Sequence, residues 1–514
     1  MTTFPSSARG LTLLAAAALV LPSAADAQQA TPVPPPEEVS LEEAIELALR
    51  HNPAYRSEVN DIHLAEWDVR EAWGALLPGA SANAGFQYQA EGEFRLGSLT
   101  GSELGVGTTP SSYLSDYFFG FDYYLDGATI ARVGLQRSRL TAAAADARAA
   151  AIGLAAQVKS QYVTALGAQD AHVVSQREVE LAEENLELAR ARVEIGAAPA
   201  LEVTQAEVAL GRAQVELLTT ENDALNEKLV LLRLMGVDME RDVELTSEFE
   251  VFEPAWSTEE LIDLAMAQHP QLRALRANRD AGAAGVRAAK LTYLPSLQMS
   301  AGWSGFAREV SDEGALIDSY RQGLAAQIPQ CEAINVIFER LTPPLSTVDC
   351  ASVFAPDPTD ESRLLAENDV FPFRFQDQPF IARAQVSLPI FQGFRRQGQV
   401  EEAQVIADDA RYALRAQELQ LTGDVIAANR TLETAYRAVQ IEARNQQLAD
   451  QQLELARERY RLGALSYIDL SESTTLKARA DRAYLASVYA FHQALAALEA
   501  AVGRPLTTST PENE

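Results

Sequence analysis

The chain has 514 residues, 47% hydrophobic and 22% charged, with 42 basic against 72 acidic side chains and a formal net charge of −30. That acidity argues against nucleic acid as a partner, because a polyanion is held by lysine and arginine. The five histidines (His51, His63, His172, His269 and His492) show no ligand spacing and none sits beside the two cysteines, so no metal and no cofactor are expected.

Residues 1–27 read as a signal peptide, with Arg9, an apolar run from Leu11 to Leu21, and Ala25-Asp26-Ala27 ahead of Gln28. The run is too short to span a bilayer. A Pro-rich linker, 28–39, follows. No later stretch is apolar over about eighteen residues, so no transmembrane helix is expected, and a membrane crossing would have to use strands.

A first repeat is expected over 40–239. It opens on a capping box, Ser40 to Glu43, and stays helical to Leu77 with a break at Pro53, until Pro78-Gly79 ends it. Two strands, Ser81 to Phe94 and Tyr113 to Leu125, form a hairpin over 81–125 around a Gly/Ser/Thr/Pro-rich loop. In the second strand Tyr117, Phe119, Phe121 and Tyr123 share a face, while Phe118 and Tyr124 blur the alternation. The proline-free stretch from Ala128 to Ala198 predicts a helix of about 68 residues turning at Gly196, then a return helix of about 40 residues to Gly236.

After a linker, 240–256, the pattern recurs over 257–505, leaving a polar tail, 506–514. SLEEAIELALRHNPAYR at Ser40 matches STEELIDLAMAQHPQLR at Ser257, and Leu77-Pro78 matches Leu294-Pro295, both 217 residues further on. LELARARVEIGA at Leu186 matches LELARERYRLGA at Leu453, 267 residues further on, with eight of twelve positions identical. The difference of 50 residues is an insertion between Ser296 and Gly393, expected as a long loop, 307–379, inside a second hairpin, 297–390. Cys331 and Cys350 both lie there, and an isolated pair in an exported chain reads as one disulfide closing an irregular loop.

The second hairpin sets Leu297, Met299, Ala301 and Trp303 against Gln298, Ser300, Gly302 and Ser304. Its partner strand, Phe380 to Ile390, sets Phe380, Ala382, Ala384, Val386, Leu388 and Ile390 against Arg383, Gln385 and Ser387. One face suits lipid and the other water, at a length of about ten residues that fits an outer-membrane strand. The same alternation suits a half-buried sheet in a soluble domain. Four strands cannot close a barrel, so if they span, the chain must oligomerise.

In the long helices Val425, Leu432, Val439, Leu453 and Tyr460 mark a heptad seam interrupted at Gln446, and Val158, Ala165, Val179, Leu186 and Val193 mark its counterpart. His172 falls on that seam as a packed or hydrogen-bonded structural residue. No GxxxxGK loop, GxSxG elbow or His/carboxylate cluster occurs, so the chain is not expected to be an enzyme.

Taken in order, several marks resemble the TolC family of bacterial outer-membrane efflux and secretion ducts. They are the duplicated opening at Leu41 with Asn52-Pro53, Leu77-Pro78 and Leu294-Pro295 before the strands, Leu388-Pro389-Ile390-Phe391-Gln392-Gly393 before the second long helix, and an Arg-x-x-x-Gly tip followed by Ile468-Asp469-Leu470. The resemblance runs from about Leu41 to Pro505. It implies a mainly α fold with membrane β: long antiparallel helical hairpins, and four strands per chain in a homotrimeric, twelve-stranded barrel. It also implies an outer-membrane protein of a Gram-negative bacterium with a twelve-helix periplasmic tunnel, serving a tripartite efflux pump or type I secretion system.

Carried over by position, the resemblance makes Ile195, Gly196, Ala197, Leu462, Gly463 and Ala464 the tips that meet a periplasmic membrane-fusion adaptor, itself coupled to an inner-membrane pump. It makes Asp469 and Glu472 an inward acidic ring at the entrance, with Glu202 as the first-repeat equivalent of Asp469 and Gln205 in place of the second acid. Tyr460 matches a tyrosine that latches the closed entrance, but the family's arginine position holds Leu465, and Pro199 is also a departure. The alternative is a soluble periplasmic coiled-coil scaffold or adaptor.

Overall fold

The computed structural model describes residues 36–93, 95–100, 108–239 and 243–506. The expected signal peptide, most of the first linker, the polar tail beyond 506, and Phe94 at the end of the first expected strand lie outside them. The described chain forms two compact units, one from residues 36–63, 142–277 and 412–506, the other from 64–141 and 278–411, so each unit takes segments of both repeats.

The helices are α1 (Leu41–His51), α2 (Pro53–Gly74), α3 (Gly127–Glu194), α4 (Leu201–Met235), α5 (Thr258–Gln268), α6 (Pro270–Leu291), then α7 (Glu313–Ala325), α8 (Ile328–Arg340), α9 (Cys350–Val353) and α10 (Pro358–Asn368) inside the insertion, α11 (Arg395–Arg461) and α12 (Tyr467–Val502). The two long helices have 68 and 67 residues and their returns 35 and 36, the latter shorter than expected because each tip takes several residues. Both repeats start on a complete capping box. Ser40 Oγ accepts from the Glu43 amide and Ser257 Oγ from the Glu260 amide, while each glutamate accepts from the serine amide.

In the first unit the apolar face of α1 (Ala44, Ala48) packs with Val158, Tyr162 and Ala165 of α3 and Leu231, Leu232 and Met235 of α4. Tyr162 is fully buried. Its hydroxyl donates to the Val39 carbonyl at 2.7 Å and accepts from the Thr246 and Ser247 amides at 3.1 Å, which ties together the parallel bridge of residues 38–39 with 244–245. The second repeat builds the matching core from Leu261, Ala265, Leu272, Val425, Leu432, Phe491, Leu495 and Leu498. The seam residues Val425, Leu432, Val439, Leu453 and Tyr460 are all buried, whereas Val179 and Val193 of the first repeat are half-buried. Gln446, where that seam breaks, donates to Asp481 of α12 at 2.8 Å, and His172 is hydrogen-bonded to Gln176.

One helix corrects an expectation. Part of α12 is long and apolar enough to cross a membrane, but half of that window is buried within the fold, as expected of a core helix. His492 lies on it, packed against Phe249 and Phe491, and burial, reinforced by Lys159, pushes its pKa down to about 4. The folded state therefore keeps this imidazole neutral while the unfolded chain protonates near the ordinary pKa of about 6.5. Stability from His492 is complete above about pH 6.5 and is lost as pH falls towards 4. Thermal melts between pH 7 and 4 should show a decline that His492→Gln flattens.

The second unit holds four long antiparallel strands, β1 (Gly79–Gln89), β2 (Ser112–Leu125), β3 (Ser296–Val310) and β4 (Ile381–Ser387), in the order β4-β3-β2-β1. The β2–β3 pairing, Ser112 opposite Val310 through Leu125 opposite Leu297, joins the hairpins of the two repeats. Both edges, β1 and β4, are unpaired within the described chain.

Register places Ala80, Ala82, Ala84, Phe86 and Tyr88 on the same face as Phe119, Phe121, Trp303, Met299, Ala382, Ala384 and Val386. The opposite face carries Ser81, Asn83, Gln87, Asp116, Asp122, Gln298, Ser300, Arg383 and Gln385. Phe118, which breaks the alternation, lies on the polar face over two paired glycines. A Cβ on Gly120 would stand 2.4 Å from its ring and one on Gly302 2.9 Å, so glycine makes the room this aromatic needs.

The expected loop 307–379 is not a loop. β3 continues to Val310, and α7 (Glu313–Ala325), α8 (Ile328–Arg340), α9 (Cys350–Val353) and α10 (Pro358–Asn368) follow before Gln376–Asp377 returns to the edge of β3. Aspartates start three of these helices: Asp312, Asp349 and Asp357 each accept from an amide in the first turn, a local signal present in the sequence. The Cys331–Cys350 disulfide forms, with Cα atoms 5.9 Å apart, and joins α8 to α9.

Candidate gate at the helix tips

Both tips close by the same backbone chemistry. In the first, the Gly196 amide donates to the Val193 carbonyl at 3.0 Å and the Ala197 amide to Arg192 at 2.8 Å; in the second, Gly463 donates to Tyr460 at 3.0 Å and Ala464 to Arg459 at 2.8 Å. Gly196 and Gly463 hold φ of 71° and 72°, a left-handed conformation that explains the repeated glycine. The next helices begin differently. Ser466 caps α12, accepting from the Asp469 amide and donating to the Asp469 carboxylate at 2.7 Å, whereas Ala200, after Pro199, gives α4 no side-chain cap. Ile195 and Leu462 at the tips are 79% and 71% exposed, a large apolar surface for two turns.

Behind the tips Leu186, Ala189, Ala206, Leu453, Ala456, Tyr460, Tyr467 and Leu470 form a compact apolar cluster joining the two helical hairpins. Tyr460 is wholly buried there, and its hydroxyl donates to Glu202 Oε2 at 2.7 Å. The Arg192 guanidinium stands 4.1 Å above the Tyr460 ring, and Tyr467 meets it edge-on at 6.0 Å. Burial, then the Glu202 carboxylate, pushes the Tyr460 hydroxyl far above its ordinary range, so it stays a neutral donor. Burial likewise raises the Tyr467 hydroxyl, with Glu202 adding to it.

The structure thus brings Tyr460 and Glu202 together and keeps Asp469 and Glu472 apart from them, exposed on one side of α12. Arg192 is the residue that sequence reasoning missed. Leu465 occupies the position where an arginine was sought, while Arg192 reaches the tyrosine from the other repeat, and it is one of the identical positions of the LELARxR phrase. Further polar ties join the hairpins, among them Arg457 to Glu184 at 2.6 Å, Arg482 Nε to Glu178 and Arg482 Nη1 to Glu216, both at 2.8 Å. Their long-range partners have no local signature.

Paired helical hairpins, and strands with one lipid-compatible and one polar face, define a membrane channel protein of the helical-tunnel and β-barrel class. The family model described as outer membrane efflux protein matches residues 44–237 and 376–504, and the chain belongs to that family. It is an outer-membrane protein, and its fold and family are those of an efflux duct. The fold is similar to the CmeC outer membrane channel of Campylobacter jejuni (TM-score 0.67, 16% identity, covering 90% of this chain and 85% of that one). It is also similar to the outer membrane protein VceC of Vibrio cholerae (0.63, 17%, 91% and 97%) and to the open state of the MtrE outer membrane channel of Neisseria gonorrhoeae (0.63, 19%, 91% and 89%). Among curated proteins no sequence matches.

Proposed function

We propose that three copies of this chain form a passive exit duct for a tripartite efflux pump or type I secretion system, closed at rest by the helix tips and opened when a periplasmic adaptor docks on them. The observation that carries the reading is the two-faced sheet open at both edges. Four strands per chain over three copies make twelve, enough to close a barrel with Ala84, Phe119, Trp303 and Ala384 towards lipid and Asn83, Asp122, Ser300 and Arg383 towards water.

The helices support lateral assembly as well. In the single chain Leu201, Val208 and Val215 on α4, and Ile441, Leu448 and Leu455 on α11 with Leu462 at the tip beyond it, recur every seven residues and are all more than half exposed. Such stripes fit the seams between neighbouring copies of a helical ring. Ile195, Gly196, Ala197, Leu462, Gly463 and Ala464 would then be the adaptor contact, and the exposed apolar tips suit a helical hairpin partner. Membrane fractionation tests the assembly: a detergent-requiring, heat-sensitive oligomer is expected, and release as a soluble monomer by osmotic shock would instead favour the scaffold reading.

In the same arrangement Asp469 and Glu472 of every copy converge on one constriction. Asp469→Asn with Glu472→Gln should lower the cation-to-anion permeability ratio in planar bilayers. Asp469 also accepts from its helix cap, so Glu472→Gln alone, which touches no cap, separates charge from folding. Unchanged reversal potentials in both variants would remove these residues from the gate.

A further inference from the structure

The insertion leaves the sheet at the end of β3 and returns to it across its apolar face. Val370 to Phe375 lies across that face at the end of the strands where β1 and β2 are connected. Phe371 meets Tyr113 at 5.2 Å and Phe86 at 6.1 Å, Phe373 meets Phe86 at 6.5 Å, and Phe375 meets Tyr117 edge-on at 4.9 Å. Polar contacts fasten the strap: Ser115 Oγ donates to the Pro372 carbonyl at 2.7 Å, and the Phe371 amide to Glu309 at 3.0 Å. Asn368 bonds both backbone groups of Val310 at 2.9 Å, fixing the end of α10 to the end of β3.

The helices ahead of the strap have almost no interior. Helices α7, α8 and α10 contain no buried residue, and the insertion is held by its disulfide, by the paired hydrogen bonds of Asn335 with Val348, and by a two-point Arg321–Glu361 ion pair. Helix α8 has an apolar side, Ile334 and Ile337, continued by Leu341 just past its end, 43%, 59% and 44% exposed; Glu332 and Glu339 lie on the opposite side, which also carries Val336.

We propose that the insertion is a lipid-docking collar, with the apolar face of α8 buried in the outer leaflet beside the barrel. The inference rests on reading the sheet as a membrane barrel, because the strap is continuous with the face that reading turns towards lipid. A cover over the channel mouth would instead return across the polar face. The strap's aromatics also supply what the interface zone of an outer-membrane barrel favours, with Phe86, Tyr88 and Phe373 all still exposed. The acids of α8, on its far side, remain in water.

The test is spin labelling of the full chain reconstituted in vesicles of outer-membrane lipid. The native cysteines are paired, so a single new thiol takes the label. Labels at Ile337→Cys and Ile334→Cys should collide with oxygen in preference to a water-soluble nickel chelate, like one at Met299→Cys on the apolar barrel face, and one at Glu339→Cys should do the reverse. If Met299→Cys reports lipid while both α8 apolar positions report water, the collar is refuted and the barrel stands. If both are shielded from either reagent, a neighbouring protein surface covers them and the collar is again refuted. If Met299→Cys itself reports water, the barrel reading fails and takes the collar with it.

Discussion

Replacing Tyr460 with phenylalanine should raise the resting open probability of the duct roughly tenfold to hundredfold. The substitution keeps the ring, and so keeps Arg192 stacked above it, but removes the hydroxyl that reaches Glu202 from the other hairpin of the same chain. A hydrogen bond to a charged carboxylate contributes about 1.5–3 kcal/mol. If opening separates α11 from the start of α4, that free energy belongs to the closed state alone, and each 1.4 kcal/mol lost shifts the equilibrium about tenfold. Because Tyr460 is held neutral by burial and by its acid partner, the wild-type latch should not open as pH rises to mildly alkaline values. Single-channel recording distinguishes this from general loosening: Tyr460→Phe should open the duct while the temperature of oligomer dissociation stays near wild type. An unchanged open probability would assign the Tyr460–Glu202 bond to folding only.

Arginine at Ala84 should prevent membrane assembly, whereas arginine at the adjacent Asn83 should be tolerated. Ala84 is the central residue of β1, opposite Tyr117, and its side chain lies on the face shared with Phe119 and Trp303. A lipid-facing arginine near the midplane of an outer-membrane barrel costs about 2–4 kcal/mol, and symmetry repeats that cost in each copy. Asn83 lies on the polar face opposite Phe118, where a guanidinium would remain in water. The readout is the heat-sensitive oligomer in purified outer membranes, lost in Ala84→Arg and retained in Asn83→Arg. Equal behaviour of the two variants would mean that the sheet does not separate lipid from water, and the duct reading would fall with it.

Much of the architecture was legible because it is local or periodic. Proline-free stretches and glycine stops bound the long helices to within a few residues, Ser-x-x-Glu boxes mark both repeat openings, and period-two alternation identifies four strands and their two faces. Strand ends were less legible. β3 runs past Phe306 to Val310 because β2 remains available to pair with it, and β4 is shorter than the expected Phe380–Ile390 stretch. The insertion was misread because α7, α8 and α10 are short and bury no residue, so no long apolar periodicity marks them, and the capping aspartates were the usable clue.

At the tips the family resemblance pointed to Tyr460, Asp469 and Glu472, and the repeat offset to Glu202, yet position alone did not distinguish their contacts. Glu202 and Asp469 correspond between repeats, but one receives a buried tyrosine and the other closes a helix cap. That difference follows from Tyr460 standing where the first repeat has Val193.

What the sequence determined by itself is therefore the set of elements and the faces they present, since helix stops, caps and alternating polarity are read within a few residues of the chain. Tertiary structure decided the partners: which strand edges stay open, how the insertion straps onto the apolar face, and which arginine covers Tyr460. Those choices depend on side chains that meet across hundreds of residues, where burial and hydrogen-bond geometry select one partner among many of the same type.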